Sequence, residues 1–331
     1  MGIFLAAAVG ACKKDNHGGG GTQPQYDKNY YGRQAFVIAL GSTYQNYDSA
    51  LKKTGYIDTL ATEGPYTSFI IDDNLIYQWA GGFPTNLNFI VSSLIMKGDH
   101  PLRSLPMGRN QRFTSLSGNH LYISKYPLGT DSAAYMMNGT PLYAVDISTT
   151  NGHFNVFHSA IPNLEKYTST LSYIQGSQTL TFFSLALKRT GLDKVLGDTT
   201  KTWTVLAPCD AAFKKSADPG LNNFDSLLTM DTAKLARIVR YHIIGDRRFY
   251  ADLTMGVVNQ NTDTVMISPV QAGVTPIKLY YSNAWPIYGY VFKSPGNATP
   301  AGIYQPVYPT YLQDNIALNG VVHQIDNVLL P

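Results

Sequence analysis

Seven histidines, two cysteines and an adjacent pair of acids are the side chains of this 331-residue sequence best suited to chemistry. A histidine can act as a base, a metal ligand or a ligand contact, and a low-pKa cysteine as a nucleophile, but each role needs partners at a defined spacing. His242 follows Tyr241 on an expected helix whose apolar stripe is Leu235, Ile238 and Val239. It is therefore either a ligand-contacting residue or a buried imidazole satisfied by nearby backbone. His323 shares strand parity with Val321 and Ile325 and points to their side, while Asp326, out of phase, is suited to bonding a neighbouring turn. His153 and His158, five apart, face opposite sides of a strand and cannot chelate one ion there. Cys209 has no partner histidine in view and reads as a small buried thiol. Asp72-Asp73-Asn74 lacks the oxygen spacing and the glycine of a calcium loop, so it reads as surface-turn acids. No G-x-S-x-G elbow, H-E-x-x-H pair or Walker loop is present. The sequence thus points away from an enzyme, and no cofactor or metal is expected.

The elements that position these residues are set by composition and pattern. Apolar residues make up 44% of the chain and charged ones only 14%, enough for about two cores. The net charge of +3 comes from scattered residues, with no basic block beyond a pair, so a nucleic-acid partner is not expected. Twenty-three tyrosines suit a β-rich extracellular protein.

Residues 1–12, MGIFLAAAVGAC, form an apolar run too short to span a bilayer, ending in small residues before Cys12. Val9-Gly10-Ala11-Cys12 resembles a bacterial lipobox, which makes Cys12 the expected lipidation site. No Lys/Arg n-region precedes it, so the translation start is expected to lie elsewhere than Met1. Residues 13–32 are polar and glycine-rich, a flexible tether. With Cys12 lipidated, Cys209 is left unpaired.

A module recurs. Leu51, Lys53, Thr54 and Gly55 stand where Leu187, Arg189, Thr190 and Gly191 stand, 136 residues later. Each copy reads as an amphipathic helix stopped by glycine, then a strand from Tyr66 or Trp203. Each copy closes on an Asn-Gly pair, Asn151-Gly152 and Asn319-Gly320, here 168 apart. Two units are expected, residues 33–163 and 164–331, the second longer by about 32 residues placed between Ser268 and Pro309. In the first, Phe36–Leu40 is open between strand and helix, and Tyr44–Lys53 and Leu87–Met96 read as helices. In the second, Leu171–Leu187 reads as one helix, and Asp231 caps another that stops at Gly245.

TVLAPCDAAF from Thr204, the Tyr241-His242 pair and NGVVHQIDNVLLP from Asn319 resemble the conserved segments of fasciclin-like FAS1 domains. The first unit is a degenerate match: Asp72-Asp73 replaces the Ala-Pro-x-Asp turn, and Leu94-Ile95 stands in place of Tyr-His. Cys209 departs from the pattern, which leaves Asp210 as the expected cap of the short helix holding Ala212 and Phe213. The resemblance implies an α+β fold of two tandem FAS1-like sandwich or wedge domains, each with a helical layer. It implies non-catalytic adhesion or extracellular ligand binding, with Tyr241 and His242 as candidate contacts. Trp285, Tyr288 and Tyr290, in the longer part of the second unit, are further candidates, since amphipathic rings suit protein or glycan ligands. The same stretch could be a plain packed strand-turn-strand. The expected location is the envelope of a Gram-negative bacterium, lipid-anchored at the outer membrane or cell surface. The alternatives are a glycan-binding accessory of a nutrient-uptake system and, further off, a divergent hydrolase.

Overall fold

The computed structural model describes residues 30–76, 83–157, 162–259, 264–283, 289–304 and 313–331. The signal segment with Cys12, most of the tether, His158, Trp285 and Tyr288 lie outside the described residues.

The first half opens with helices α1 (Gln34–Leu40), α2 (Gln45–Thr54) and α3 (Tyr56–Leu60). Strand β1 (Tyr66–Ile71), the short helix α4 (Asp73–Ile76), helix α5 (Leu87–Ser93) and strand β2 (Ile95–Lys97) follow. A hairpin sheet of β3 (Gly108–Thr114), β4 (His120–Leu128), β5 (Ser132–Met137) and β6 (Thr140–Pro141) precedes β7 (Ala144–Thr149) and β8 (Gly152–Phe157).

The second half repeats the opening with α6 (Thr170–Gly176), α7 (Thr181–Thr190), α8 (Asp193–Gly197) and β9 (Trp203–Pro208). Helices α9 (Asp210–Lys214), α10 (Phe224–Thr229) and α11 (Thr232–Tyr241) lead to β10 (Ile243–Ile244). Helix α12 (Tyr250–Asn259) and strands β11 (Thr264–Ile267), β12 (Ile277–Ser282) and β13 (Gly289–Lys293) precede β14 (Asn315–Ala317) and β15 (Gly320–Ile325).

The glycine stops hold. Gly55 (φ 79°) and Gly191 (φ 69°) end α2 and α7 in the left-handed region, where a Cβ is penalised. Other expectations are corrected. Leu171–Leu187 is two helices, broken by Ser177 through Leu180, whose chain turns between α6 and α7. Phe36–Leu40 is helical, and α5 ends at Ser93 so that Ile95 can enter a strand. Helix α11 ends at Tyr241, not at Gly245, because Ile243 and Ile244 pair with Val205 and Thr204. Asp231 does cap α11, accepting from the Lys234 N–H at 2.7 Å.

Each half is built on a four-stranded sheet of one topology, β2-β1-β8-β7 and β10-β9-β15-β14. The two central strands are parallel and come from opposite ends of each unit, so the opening and closing motifs meet in the middle. In the second half both central strands are buried along their whole length, as expected where both faces of a sheet are covered. Val205, Ala207 and Val322 pack toward the helices. Leu206 and Ile325 pack toward β11–β13.

The two sheets share their fastenings. The Asn151 side chain accepts from Gln34 N–H (2.9 Å) and donates to the carbonyls of Leu60 (2.8 Å) and Thr62 (2.8 Å). Asn319 accepts from Thr170 N–H (2.7 Å) and donates to Leu196 (2.9 Å) and Asp198 (3.0 Å). Beside them a Cβ on Gly152 would lie 1.9 Å from the Tyr66 carbonyl oxygen, and one on Gly320 2.0 Å from that of Trp203. Only glycine permits that strand approach.

A second fastening corrects two expectations. Asp210 lies in the first turn of α9, but its carboxylate caps α7, accepting from Phe182 N–H (3.0 Å) and Thr181 Oγ1 (2.7 Å). Asp73 does the same for α2, accepting from Gln45 and Asn46 N–H at 2.9 Å. The acid pair is therefore not a plain surface turn, and Asp73 keeps the aspartate that the divergent motif seemed to lose. Leu94, whose carbonyl accepts from Phe69 N–H as that of His242 does from Leu206 N–H, is the counterpart of His242. The pair to compare with Tyr241-His242 is thus Ser93-Leu94. Leu94 and His242 are already 148 apart, so the surplus of the second half is divided. About a third enters before β10, around α10, and the rest between β10 and β15.

Candidate recognition surface

Tyr241 and His242 do not face a ligand. Tyr241 is fully buried and its hydroxyl donates to the Thr275 carbonyl at 2.8 Å. His242, 1% exposed, donates Nδ1–H to the Ile238 carbonyl and accepts Leu329 N–H at Nε2, both at 2.9 Å. Burial lowers its pKa to about 4. His242 is a fastener between α11 and the chain end, and the bland alternative weighed above describes it.

His323 is the same kind of group. Its Nε2–H donates to the Arg248 carbonyl (2.9 Å), and Nδ1 accepts Asp314 N–H (3.2 Å). Asn155 stands in its place in the first half, accepting Asp146 N–H at 3.0 Å. Asp146 (φ 58°) and Asp314 (φ 52°) are both left-handed, and each carboxylate caps a helical turn: Asp146 takes Leu102 and Arg103 N–H, Asp314 takes Tyr250 N–H. A polar side chain is needed in the strand because the left-handed residue opposite turns its peptide N–H inward.

Of the remaining chemical candidates, Asp326 bonds the Gly302 N–H (2.8 Å), as expected. His153 pairs with Asp99 at 2.6 Å, and no group of three or more potential metal ligands occurs among the described residues. Cys209 is 1% exposed and burial raises its pKa. In a soluble fragment from Gln25 it is the single thiol. Thiolate-directed reagents should modify it at least about a hundredfold more slowly in the native fragment than in denaturant. A native rate near that of a free thiol would show the site to be open.

What the second half does present is aromatic. Leu279 and Phe292, opposite each other on β12 and β13, are fully buried. Two residues further toward the hairpin turn the same face leaves the core, where Tyr281 pairs with Tyr290. Tyr281 is 51% exposed and meets the Tyr290 ring edge-on at 5.2 Å. Tyr250 supports Tyr290 from α12, ring to ring at 6.4 Å, and donates its hydroxyl to the Tyr290 carbonyl. Of the aromatic candidates in the sequence, Tyr290 thus stands on a surface, with Tyr281 as the neighbour that spacing alone passed over.

A buried polar constellation lies where the halves meet. Asp252 on α12 accepts from Phe249 N–H (2.8 Å), Asn110 Nδ2 (3.1 Å), Ser124 Oγ (3.2 Å) and the Tyr126 hydroxyl. Burial raises its pKa, and raises that of Asp314 to about 8. Arg247 donates to the carbonyls of Ala317, Leu318 and Gly320 and lies 3.9 Å over the Tyr122 ring. Tyr122, Phe249, Ile316 and Val321 make a small shared core beside it. No signal in the sequence marks these residues, since all their partners but Phe249 lie at least 70 positions away. An open cleft of about 710 Å³ runs along this seam, between Arg109, Arg112 and Tyr122 on one wall and Thr200, Asp246 and Arg247 on the other.

Among the described residues no helix is long and apolar enough to cross a membrane. Residues 178–331 match the family model of the Fasciclin domain. No curated protein matches the sequence. Among solved structures the chain is similar to the FAS1 domain pair from the insect cell adhesion molecule Fasciclin I. That likeness has 14% identity and a TM-score of 0.41, and covers 90% of this chain and 96% of that one.

Proposed function

We propose that this chain, whose residues 178–331 form a Fasciclin domain, is a non-catalytic adhesion or ligand-capture protein. Its partner is an extracellular protein held on the tyrosine face of β12 and β13. The observation that carries this reading is the emergence of a core-facing aromatic row at Tyr281 and Tyr290. Paired tyrosines offer a large, stiff contact area with wet hydroxyl tips, which is how small patches dominate binding. His242, His323 and the Cys209 thiol, by contrast, are occupied in the core, which favours recognition over turnover.

Anchoring through Cys12 and the tether of residues 13–32 would hold this face near the outer membrane or cell surface of a Gram-negative bacterium and raise its local concentration. Labelling with a lipid precursor tests it: Cys12→Ala should lose both the label and the membrane fraction.

The face is tested with the soluble fragment from Gln25 against protein partners and a glycan array. Tyr281→Ala should weaken protein binding about tenfold with little change in Tm. Glycan binding that disappears in Tyr281→Ala or Trp285→Ala would instead favour a sugar-binding accessory of nutrient uptake. Unchanged binding in both variants removes the tyrosine face from consideration. A divergent hydrolase would turn over a substrate panel and lose that activity in His242 or His323 variants.

A further inference from the structure

We propose that the seam cleft between the two halves binds a carboxylate-bearing sugar, a uronic-acid unit of an acidic glycan. This site is separate from the tyrosine face, and neither depends on the other.

Three guanidiniums, Arg109, Arg112 and Arg247, line the cleft against one carboxylate, Asp246. Arg247 is buried and donates to three carbonyl oxygens; Glu165 and Asp252 act on its charge through space, without a direct ion pair. Arg112 is exposed, and its guanidinium has no hydrogen-bond or ion-pair partner among the described residues. Asp246 is gripped by Arg248 Nε at 2.8 and 3.1 Å, which leaves Arg109 only a loose approach of 3.6 Å. Glu165 is turned to Tyr122 and His120, and Asp252 to Tyr126 and Asn110, and neither carboxylate lines the cleft. An incoming anion can therefore take Arg109 and Arg112 without breaking a strong pair.

The walls also select the anion. A guanidinium fork matches the two oxygens of a carboxylate. Asp246, on the wall facing Arg109 and Arg112, repels a dianion more than a monoanion, which disfavours phosphate. Asp246 accepts hydroxyl donors, and the exposed Thr199 and Thr202 hydroxyls donate or accept, so the ligand that uses every wall group carries hydroxyls beside its charge. A nucleic-acid strand would want a free aromatic face, and that of Tyr122 is covered by Arg247.

The test is calorimetric titration of the fragment from Gln25 with oligogalacturonate. Neutral malto-oligosaccharide, inorganic phosphate and a single-stranded oligonucleotide serve as comparators. Arg109→Ser with Arg112→Ser should weaken oligogalacturonate binding at least about tenfold. Arg237→Ser with Arg240→Ser, an equal loss of charge on exposed α11 positions, should leave it within about twofold, as should Tyr281→Ala. Arg112→Lys, which keeps the charge but loses the fork, should fall between and serves if the double variant unfolds. No binding at low salt, equal losses in the two double variants, or phosphate or oligonucleotide binding as well as oligogalacturonate would each overturn the proposal.

Discussion

Asn319→Ala is expected to lower the unfolding free energy of the second half by about 3–5 kcal/mol, since each buried polar group left unpaired costs about 1–3 kcal/mol. Two are left outright, the Thr170 N–H that starts α6 and the Asp198 carbonyl just beyond α8, while the Leu196 carbonyl in α8 loses one of its two donors and keeps Thr170 Oγ1 at 3.1 Å. The site is 1% exposed, so water cannot readily replace the amide. Its neighbour Gly320 lies against the Trp203 backbone, which prevents the strand from shifting to compensate. Asn319→Asp keeps the acceptor but sets a carboxylate against two carbonyl oxygens, and should be at least as damaging as alanine. Asn151→Ala should reproduce the loss in the first half, because its three bonds are the same three. Denaturant unfolding with a probe in each half reads both. A loss under about 1 kcal/mol at Asn319 would mean that the amide is not the joint described here.

The second large effect is on acid stability. In the unfolded chain an imidazole takes a proton below about pH 6.5, whereas His242 and His323, with folded pKa values lowered by burial, refuse it until about 4. Between those values the unfolded state holds more protons, so stability falls as the pH drops, by about 3 kcal/mol per histidine at the bottom of the window. Protonation also turns an accepting nitrogen into a donor, directed at Leu329 N–H in one case and Asp314 N–H in the other. Asp314, whose pKa burial raises to about 8, acts in the opposite sense: the folded carboxyl keeps its proton where the unfolded one loses it, so this contribution weakens as the pH rises toward 8. Asp252, also raised, adds to that trend.

The histidine share is isolated by His323→Asn, the residue that Asn155 supplies at the equivalent joint. The variant should reduce the slope of stability against pH by about 1.4 kcal/mol per unit inside the window. Above the window its slope should match the parent. Parallel slopes throughout would show that His323 titrates normally and is not the sealed group it resembles.

Much of this molecule is legible locally. Gly55 and Gly191 stop their helices because a left-handed residue without a Cβ is favourable wherever it occurs, and Asp231 caps α11 from within its own turn. The recurrence of such signals at spacings of 136 and 168 residues revealed the duplication. Parity on β15 was a weaker guide. It put His323 with Val321 and Ile325, yet both faces of that strand are buried, so alternation could not separate a core side from a ligand side.

What the order of residues determined by itself is the repeated helix-and-strand module and the joints whose bonds span a few positions. Only the tertiary structure decided that Asp210 caps α7, that Tyr241 and His242 are enclosed, and that Arg109, Arg112 and Arg247 share a cleft. The reason is range. A cap or a stop is chosen by backbone geometry within one turn, while a side chain's burial and its partners depend on which distant strand the chain brings alongside, and periodicity carries no record of that.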